Sequence, residues 1–95
     1  MAIYVTSDAH GHVRALDEAL SKISLASDDT LYVLGDMIDR GPDPVGVIKL
    51  ARSLPNAHVL KGNHEQIMLD AIIGQDPLDA ETWDINGGWT TREQL

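Results

Sequence analysis

The sequence predicts an α/β fold in which three parallel strands alternate with three helices. Three short apolar runs, rich in Val, Ile, Leu and Tyr, end in small polar clusters and cover residues 2–8, 30–36 and 57–63. Nearly continuous apolar runs of this length are typical of strands that are buried on both faces of a parallel sheet. Their alternation with stretches of helical spacing predicts a β-α-β-α-β-α unit with right-handed crossovers.

The predicted helices are recognised by apolar residues at helical spacing and by their ends. The first helix covers residues 13–24, where Leu, Ala and Ile recur at intervals of three or four. The second begins at Pro44 after Asp43, because aspartate caps helix starts and proline is favoured in the first turn. The third follows Glu65, which is expected to cap or support it or to pair with an arginine, and it ends at Gly74.

The last twenty residues predict a turn and the start of a further helix. Asn86-Gly87-Gly88 is a turn sequence, and Thr90 with Glu93 three positions later resembles a capping box. Because the sequence ends at Leu95, inside this helix, we expect residues 1–95 to be the N-terminal part of a single larger domain.

Composition restricts the class of protein. The chain has 95 residues, 43% of them hydrophobic, which suffices for one small domain. A net charge of -8 argues against a nucleic-acid partner. There are no cysteines, so any metal must bind oxygen and nitrogen ligands. No basic leader and no long apolar run is present, so we expect a cytoplasmic protein with no membrane partner.

Polar clusters follow all three predicted strands. Asp8, Asp36 and Asn63 come directly after the apolar runs at nearly equal spacing. The carboxyl ends of parallel strands share one edge of the sheet, where ligands bind in open α/β folds. Asp8 and His10 lie two residues apart, so in an extended segment they point the same way and can share one metal ion. Taken alone, Asp-x-His is more often a simple strand-to-helix turn.

The second and third clusters, GDMIDRG and GNHE, each allow two interpretations. Asp36 can bridge two metals and Arg40 offers a fork for phosphoryl oxygens, but Asp39 and Arg40 could equally form a surface pair. Asn63 supplies a neutral oxygen ligand and His64 faces differently, toward a substrate. The alternative is that Asn63 caps a helix and His64 is exposed.

Five further residues receive structural rather than catalytic predictions. Met37 and Ile38 are expected to be exposed in the turn between the motif residues, and His58 is expected to be structural. Trp83 and Trp89 are expected to pack in the core rather than to form a substrate platform.

Taken together, the three clusters form a specific pattern. The set Asp-x-His-Gly, Gly-Asp-x-x-Asp-Arg-Gly and Gly-Asn-His-Glu resembles the calcineurin-like metallophosphoesterases. The intact GDMIDRG and GNHE are similar to the phosphoprotein phosphatase branch, especially its short bacterial and phage members, and NGGWTT resembles the stretch that follows in those members. The resemblance implies that the chain is the N-terminal half of a metallophosphoesterase α/β sandwich.

The resemblance implies a site with two divalent metals. Asp8 and His10 would bind the first metal, Asp36 would bridge both, and Asn63 would bind the second. Oxygen and imidazole ligands favour Mn²⁺, with Fe or Zn²⁺ as alternatives. Two cations about 3.5–4 Å apart can activate a water and neutralise phosphoryl oxygens.

The implied activity is hydrolysis of phosphoserine or phosphothreonine, with phosphotyrosine as an alternative, in a phosphoprotein substrate. Arg40 would hold the phosphate oxygens. His64, oriented by Asp39, would protonate the leaving alcohol or polarise the attacking water. A related branch hydrolyses dinucleoside polyphosphates such as bis-nucleosyl tetraphosphates, and this alternative stays open.

The resemblance also implies that parts of the site are missing. The family pattern needs two further histidines and usually a further arginine, but no histidine follows His64 and the only later arginine is Arg92. We therefore expect weak binding of the first metal, hardly any of the second, and little activity. An uncovered sheet face is expected to cause self-association. A non-catalytic fragment is the remaining alternative.

Overall fold

The computed structural model describes residues 1–74 and 76–95 and has the predicted α/β architecture. Strands β1 (Ile3–Thr6), β2 (Thr30–Val33) and β3 (Ala57–Val59) form a parallel sheet in the order β1-β2-β3. The helices are α1 (Val13–Ile23), α2 (Pro44–Ser53), α3 (Asn63–Ile73), α4 (Pro77–Ile85) and α5 (Trp89–Gln94). None of the helices in the described residues is long and apolar enough to cross a bilayer.

The predicted ends of α2 and α3 are largely confirmed. Asp43 precedes α2, and its Oδ1 accepts the N–H of Gly46 at 2.9 Å. Helix α3 ends at Ile73 with Gly74 as its C-cap, in agreement with the predicted stop at Gly74. It begins earlier than predicted, at Asn63 after Gly62, so the GNHE segment forms the first turn of the helix rather than the loop before it.

Helix α4 was not predicted, although its start repeats that of α2. Asp76 precedes Pro77, and its carboxylate accepts the N–H of Leu78 at 3.0 Å. The apolar pattern of α4 is weak because Trp83 is its one buried residue, while Leu78 and Ile85 are exposed. The apolar periodicity therefore gives no indication of this helix. The Asp76-Pro77 pair is the local signal from which its start could have been predicted.

The capping box predicted at Thr90 is wrong. Helix α5 begins at Trp89 after Gly88, so Thr90 is already inside the helix. The Thr90 hydroxyl donates to the carbonyl of Gly87 at 3.2 Å, a contact within the turn that leads into α5.

One face of the sheet carries the core. The face that includes Leu31 and Val33 packs against α1 and α2, with Leu16 and Val47 among the buried partners. Both crossovers join neighbouring parallel strands, and right-handed crossovers in this order place both helices on the same side of the sheet.

The opposite face of the sheet is exposed, so the prediction of strands buried on both faces is wrong here. Ile3 is 69% exposed and Val5 61% exposed, and Tyr32 stacks on His58 on the same face. His58 is an exposed residue of β3. Self-association through this face stays a prediction.

The Asp29 side chain joins the residue before β1 to the loop before β2 through hydrogen bonds. Its two carboxylate oxygens accept the backbone N–H groups of Ala2 and Ala26, each at 2.8 Å. The hydrogen bond from Ala26, followed by that from Ala2, lowers the pKa of the Asp29 carboxyl. Lowering the pKa in the folded state means that the ionised carboxylate stabilises the fold.

We expect Asp29→Asn to remove stability in a pH-dependent way. The stabilisation is fully present above the ordinary aspartate pKa of about 3.9 and is lost as the pH falls through the lower folded pKa. The difference in unfolding free energy from wild type should therefore be constant above about pH 5 and shrink below about pH 4. Urea unfolding at several pH values measures it, with exposed Asp17→Asn as control. A difference that does not change with pH would contradict the prediction.

Candidate metal and phosphate site

The loops that follow β1 and β2 lie side by side at the carboxyl edge of the sheet. The N–H of Asp8 donates to the carbonyl of Gly35 at 3.2 Å, and the N–H of His10 donates to the carbonyl of Asp36 at 3.0 Å. These bonds continue the β1–β2 pairing past the strand ends. They bring the first two polar clusters together, as their positions after parallel strands predict.

The glycines of the motifs permit backbone-to-backbone packing between these loops. A Cβ on Gly41 would lie 2.0 Å from the carbonyl oxygen of His10. A Cβ on Gly35, whose φ is +97°, would lie 2.2 Å from the nitrogen of Gly62. Both approaches are too close for any side chain, so the glycines determine how tightly the three clusters converge.

Asp8, His10 and Asp36 form a group that fits a divalent metal. One ligand atom from each lies within 4.8 Å of the others. The Nδ1 of His10 lies 2.9 Å from the carbonyl oxygen of Ile38, so Nδ1 carries the proton and Nε2 is free to bind. Metal–ligand bonds of about 2.0–2.2 Å separate ligand atoms by up to about 4.4 Å. Small side-chain rotations would therefore bring all three donors onto one ion.

Asp8 is held in its ionised form. The Ser7 hydroxyl, which donates to the Asp8 carboxylate, is the main group that lowers the pKa of Asp8, and partial burial opposes it. A carboxylate that stays ionised at neutral pH is available as a ligand without losing a proton.

Asn63 is exposed at the first position of α3. The N–H of the next residue, His64, donates to Oδ1 of Asp36 at 2.8 Å, which fixes the start of α3 against the Asp36 carboxylate. Asn63 therefore directly precedes a residue that is bonded to one member of the candidate ligand group. Its own role as a ligand stays a prediction.

Asp39 and His64 form a buried pair. The Nδ1 of His64 lies 2.8 Å from Oδ2 of Asp39, which is completely buried, and His64 is only 7% exposed. The alternatives of an Asp39–Arg40 surface pair and of an exposed His64 are therefore wrong. The His64 ring meets the His10 ring edge-on, with centroids 4.5 Å apart. The Asp39–His64 pair therefore lies beside the candidate ligand group of Asp8, His10 and Asp36.

Asp39 has two further partners that sequence reasoning did not identify. Its Oδ1 accepts the indole N–H of Trp83 at 2.9 Å and the hydroxyl of Thr91 at 2.7 Å. Trp83 is buried as predicted, but Trp89 is 51% exposed, against the prediction of core packing. Thr91 belongs to the NGGWTT stretch, where the resemblance offered no role for it.

Arg40 is exposed beside this buried pair. Its backbone N–H donates to the carbonyl of Gly87 at 3.0 Å, and its side-chain stem packs so closely on Gly87 that a Cβ there would lie 2.6 Å from Arg40 Cγ. In the described part of the chain no carboxylate lies within ion-pair distance of Arg40. The guanidinium is therefore available to an anion from solution.

Backbone strain is concentrated at the site. Five non-glycine residues of the site have positive φ: Asp8 (58°), His10 (43°), Asp36 (52°), Asp39 (72°) and Arg40 (71°). Each costs about 1 kcal/mol or more relative to an ordinary conformation. Strain of this kind persists where the surrounding contacts over-determine the backbone, and it is typical of functional sites.

Met37 and Ile38 are buried, so the prediction that they are exposed is wrong. Met37 is 7% exposed and Ile38 0%, and both join the core cluster. The strained residues on either side, Asp36 and Asp39, turn the chain so that this apolar pair points inward. The motif is thereby anchored in the core while its polar side chains face the sheet edge.

Glu65 joins the second cluster to the third. Its Oε1 accepts the N–H groups of Asp36 at 2.6 Å and Gly62 at 2.8 Å, and its Oε2 accepts that of Met37 at 2.9 Å. The predicted capping role is therefore correct. No arginine pairs with Glu65 among the described residues.

We expect Glu65→Gln to destabilise the chain by about 2–3 kcal/mol. The amide keeps one acceptor oxygen but presents an NH₂ group to a backbone N–H, and it loses the charge that strengthens three hydrogen bonds. Urea unfolding monitored by circular dichroism measures the loss. Exposed Glu81→Gln is the matched control, and equal stability of the two variants would contradict the structural role of Glu65.

Comparison with known proteins identifies the family. The model of the calcineurin-like phosphoesterase family matches residues 1–93. The chain belongs to the calcineurin-like phosphoesterase family. The resemblance inferred from the motifs is thus confirmed, and this family of hydrolases uses divalent metals, for which the cluster of Asp8, His10 and Asp36 is a candidate ligand group.

Three similar curated proteins carry two kinds of name. A Salmonella typhimurium protein named serine/threonine-protein phosphatase 1 is 38% identical over 92 residues, covering 95% of this chain and 41% of the relative. Serine/threonine-protein phosphatase 2 of Escherichia coli is 36% identical over 90% of this chain and 38% of its own length. A symmetrical bis(5'-nucleosyl)-tetraphosphatase of Proteus mirabilis is 38% identical over 71 residues, covering 73% of this chain and 26% of the relative.

A solved structure supports the fold. A crystal structure described provisionally as a diadenosine tetraphosphatase has 29% sequence identity and a TM-score of 0.56, and the match covers 86% of this chain and 45% of that one. The chain spans between about a quarter and two fifths of the length of the curated relatives named above.

Proposed function

We propose that the chain supplies a metal site, a phosphate-binding arginine and a general acid for the hydrolysis of phosphoserine or phosphothreonine in proteins. The observation that carries the proposal is the buried Asp39–His64 pair beside the three-donor cluster. A metal cluster alone is compatible with a structural ion. A histidine that is held by a buried carboxylate and lies next to such a cluster is suited to proton transfer.

The metals would be held by Asp8, His10 and Asp36, with Asn63 as a ligand of a second ion. Mn²⁺ suits this set of oxygen and imidazole donors, with Fe or Zn²⁺ as alternatives. When bound, the ions supply a stronger nucleophile from water and charge stabilisation for the phosphoryl group.

The protein residues would carry the proton and hold the phosphate. Asp39 fixes His64 through Nδ1, so Nε2 is the nitrogen that can protonate the leaving alcohol. The exposed guanidinium of Arg40 can donate two parallel hydrogen bonds to phosphoryl oxygens. The backbone N–H of Arg40 donates to the carbonyl of Gly87, which fixes the point from which the Arg40 side chain extends.

The extent of the alignments favours a phosphoprotein substrate. The match to the Salmonella phosphatase covers 95% of this chain, so it must include most of α4 and α5, which hold Trp83 and Thr91 against Asp39. The match to the Proteus tetraphosphatase covers 73%. The relatives named as protein phosphatases thus align with more of this chain than the Proteus tetraphosphatase does.

Hydrolysis of a dinucleoside tetraphosphate is the second candidate. It is favoured by the equal identity of 38% to the Proteus tetraphosphatase and by the solved structure of related fold. The two substrates differ in the leaving group, an alcohol in one case and a nucleotide phosphate in the other.

Hydrolysis of para-nitrophenyl phosphate by the purified chain tests the proposed activity. We expect slow turnover that requires added Mn²⁺ and is lost in EDTA. With a phosphothreonine peptide, whose alkoxide leaving group needs a proton, turnover should fall at least about 100-fold in His64→Asn, the scale of general acid catalysis. His58→Asn, an exposed histidine on β3, is the matched control. Turnover that persists in EDTA, or turnover of the peptide that persists in His64→Asn, would contradict the proposal.

Two further substrates separate the candidates. A phosphothreonine peptide and diadenosine tetraphosphate are compared at equal concentration with Mn²⁺. Preferential release of phosphate from the peptide supports the first candidate, and preferential cleavage of the dinucleotide supports the second.

A further inference from the structure

Both oxygens of the Asp39 carboxylate are occupied in the interior of the protein. Oδ2 contacts Nδ1 of His64 at 2.8 Å, while Oδ1 accepts hydrogen bonds from Trp83 at 2.9 Å and Thr91 at 2.7 Å. Because Asp39 is completely buried, these three donors replace water as its partners. Two of the three come from the C-terminal helices α4 and α5, more than forty residues along the chain.

The same segment also holds the strained turn that contains Asp39. The N–H of Asp39 donates to the Thr91 hydroxyl at 2.9 Å, so this hydroxyl both accepts from the backbone and donates to the side chain of one residue. The next N–H, that of Arg40, donates to the carbonyl of Gly87. Asp39 and Arg40 have φ of 72° and 71°, so both bonds hold residues in an unfavourable conformation.

We infer that Trp83 and Thr91 are positioning residues that set the protonation geometry of His64 through Asp39. With Oδ1 bound by both donors, the carboxylate cannot rotate, and Oδ2 is presented to Nδ1 of His64. His64 then carries its proton on Nδ1 in the neutral state and keeps Nε2 as the proton-exchanging nitrogen. The use of Nε2 in catalysis rests on the proposed function, whereas the effect of Trp83 and Thr91 on the His64 tautomer does not.

A purely structural role for Trp83 and Thr91 makes a different prediction. Packing alone would affect the stability of the α4–α5 corner and leave the His64 tautomer unchanged. A positioning role requires that the His64 tautomer change when Asp39 loses its hydrogen bond from Trp83 or Thr91. The tautomer is therefore the property that separates the two roles.

The test is ¹⁵N NMR of the imidazole of His64 in the labelled chain, with the pH raised until the spectrum shows only the neutral ring. We expect the Nδ1–H form to predominate in the wild type. In Thr91→Val the ratio of the Nδ1–H to the Nε2–H form should fall about tenfold, the scale of one hydrogen bond. Thr91→Ser keeps the hydroxyl and should restore the wild-type ratio.

Thr90→Val is the matched control. Thr90 is also buried in α5, but its hydroxyl donates to the carbonyl of Gly87 rather than to Asp39. The ratio should remain that of the wild type. If Thr91→Val fails to fold, Trp83→Phe removes the other donor while it keeps an aromatic ring in place, and the same fall is expected.

A wild-type tautomer ratio in folded Thr91→Val or in Trp83→Phe would overturn the inference. The outcome is separate from that of the hydrolysis assay. A tautomer that responds in a chain without metal-dependent turnover upholds the positioning role while the proposed function fails. Mn²⁺-dependent turnover in a chain whose tautomer does not respond would uphold the proposed function and overturn the positioning role.

Discussion

Asp39→Ala is expected to destabilise the chain by about 3–5 kcal/mol, which approaches the whole stability of a small domain. The substitution leaves three buried donors, on His64, Trp83 and Thr91, without their acceptor. Each lost partner carries a desolvation penalty that the folded state cannot recover through water. Helices α4 and α5 should therefore separate from the site before the sheet unfolds.

Urea unfolding monitored by circular dichroism and by tryptophan fluorescence measures this effect. Asp17→Ala on the exposed side of α1 is the control, with an expected change below about 0.5 kcal/mol. If Asp39→Ala were as stable as Asp17→Ala, the hydrogen-bond network around Asp39 would not be a stabilising element of the fold.

Gly35→Ala is expected to cost at least about 3 kcal/mol and to separate the second and third clusters. The new methyl group would lie 2.2 Å from the nitrogen of Gly62 and 2.5 Å from its Cα, and φ of +97° is unfavourable for alanine. Both neighbours are backbone atoms, so a side-chain rotation cannot relieve the overlap. The start of α3 would have to move away from Asp36.

Gly46→Ala in α2 is the contrasting substitution. Its methyl group meets the end of the Asp43 side chain, which can rotate away, and alanine is favoured over glycine within a helix. We expect its unfolding free energy to lie within about 1 kcal/mol of wild type. Similar losses in Gly35→Ala and Gly46→Ala would show that the close approach of Gly35 to Gly62 is not required.

The order of elements and the position of the site could be predicted from local sequence. Apolar runs followed by polar clusters placed Asp8 and Asp36 at one sheet edge, and the structure brings their side chains together with His10. The Asp43-Pro44 start of α2 is likewise a local property of the chain. Local patterns suffice because strand ends and helix caps depend on neighbouring residues.

The support for His64 could not be predicted, because it depends on contacts between residues distant in the chain. Trp83 and Thr91 contact Asp39 across 44 and 52 residues. Met37 was placed on the surface for a related reason, since its burial follows from the strained turn rather than from its neighbours. The exposed sheet face was missed because a continuous apolar run does not reveal whether a second layer covers it.

Titration of the chain with Mn²⁺, followed by electron paramagnetic resonance of the free ion, tests most directly whether the sheet edge gathers a metal. We predict saturable binding that weakens at least about 100-fold in Asp36→Asn, which keeps the oxygen that accepts from the His64 N–H but removes the charge. Exposed Asp70→Asn on α3 should bind as wild type does. Equal affinity in Asp36→Asn and wild type, or no saturable binding in wild type, would contradict the assignment of a metal to Asp8, His10 and Asp36.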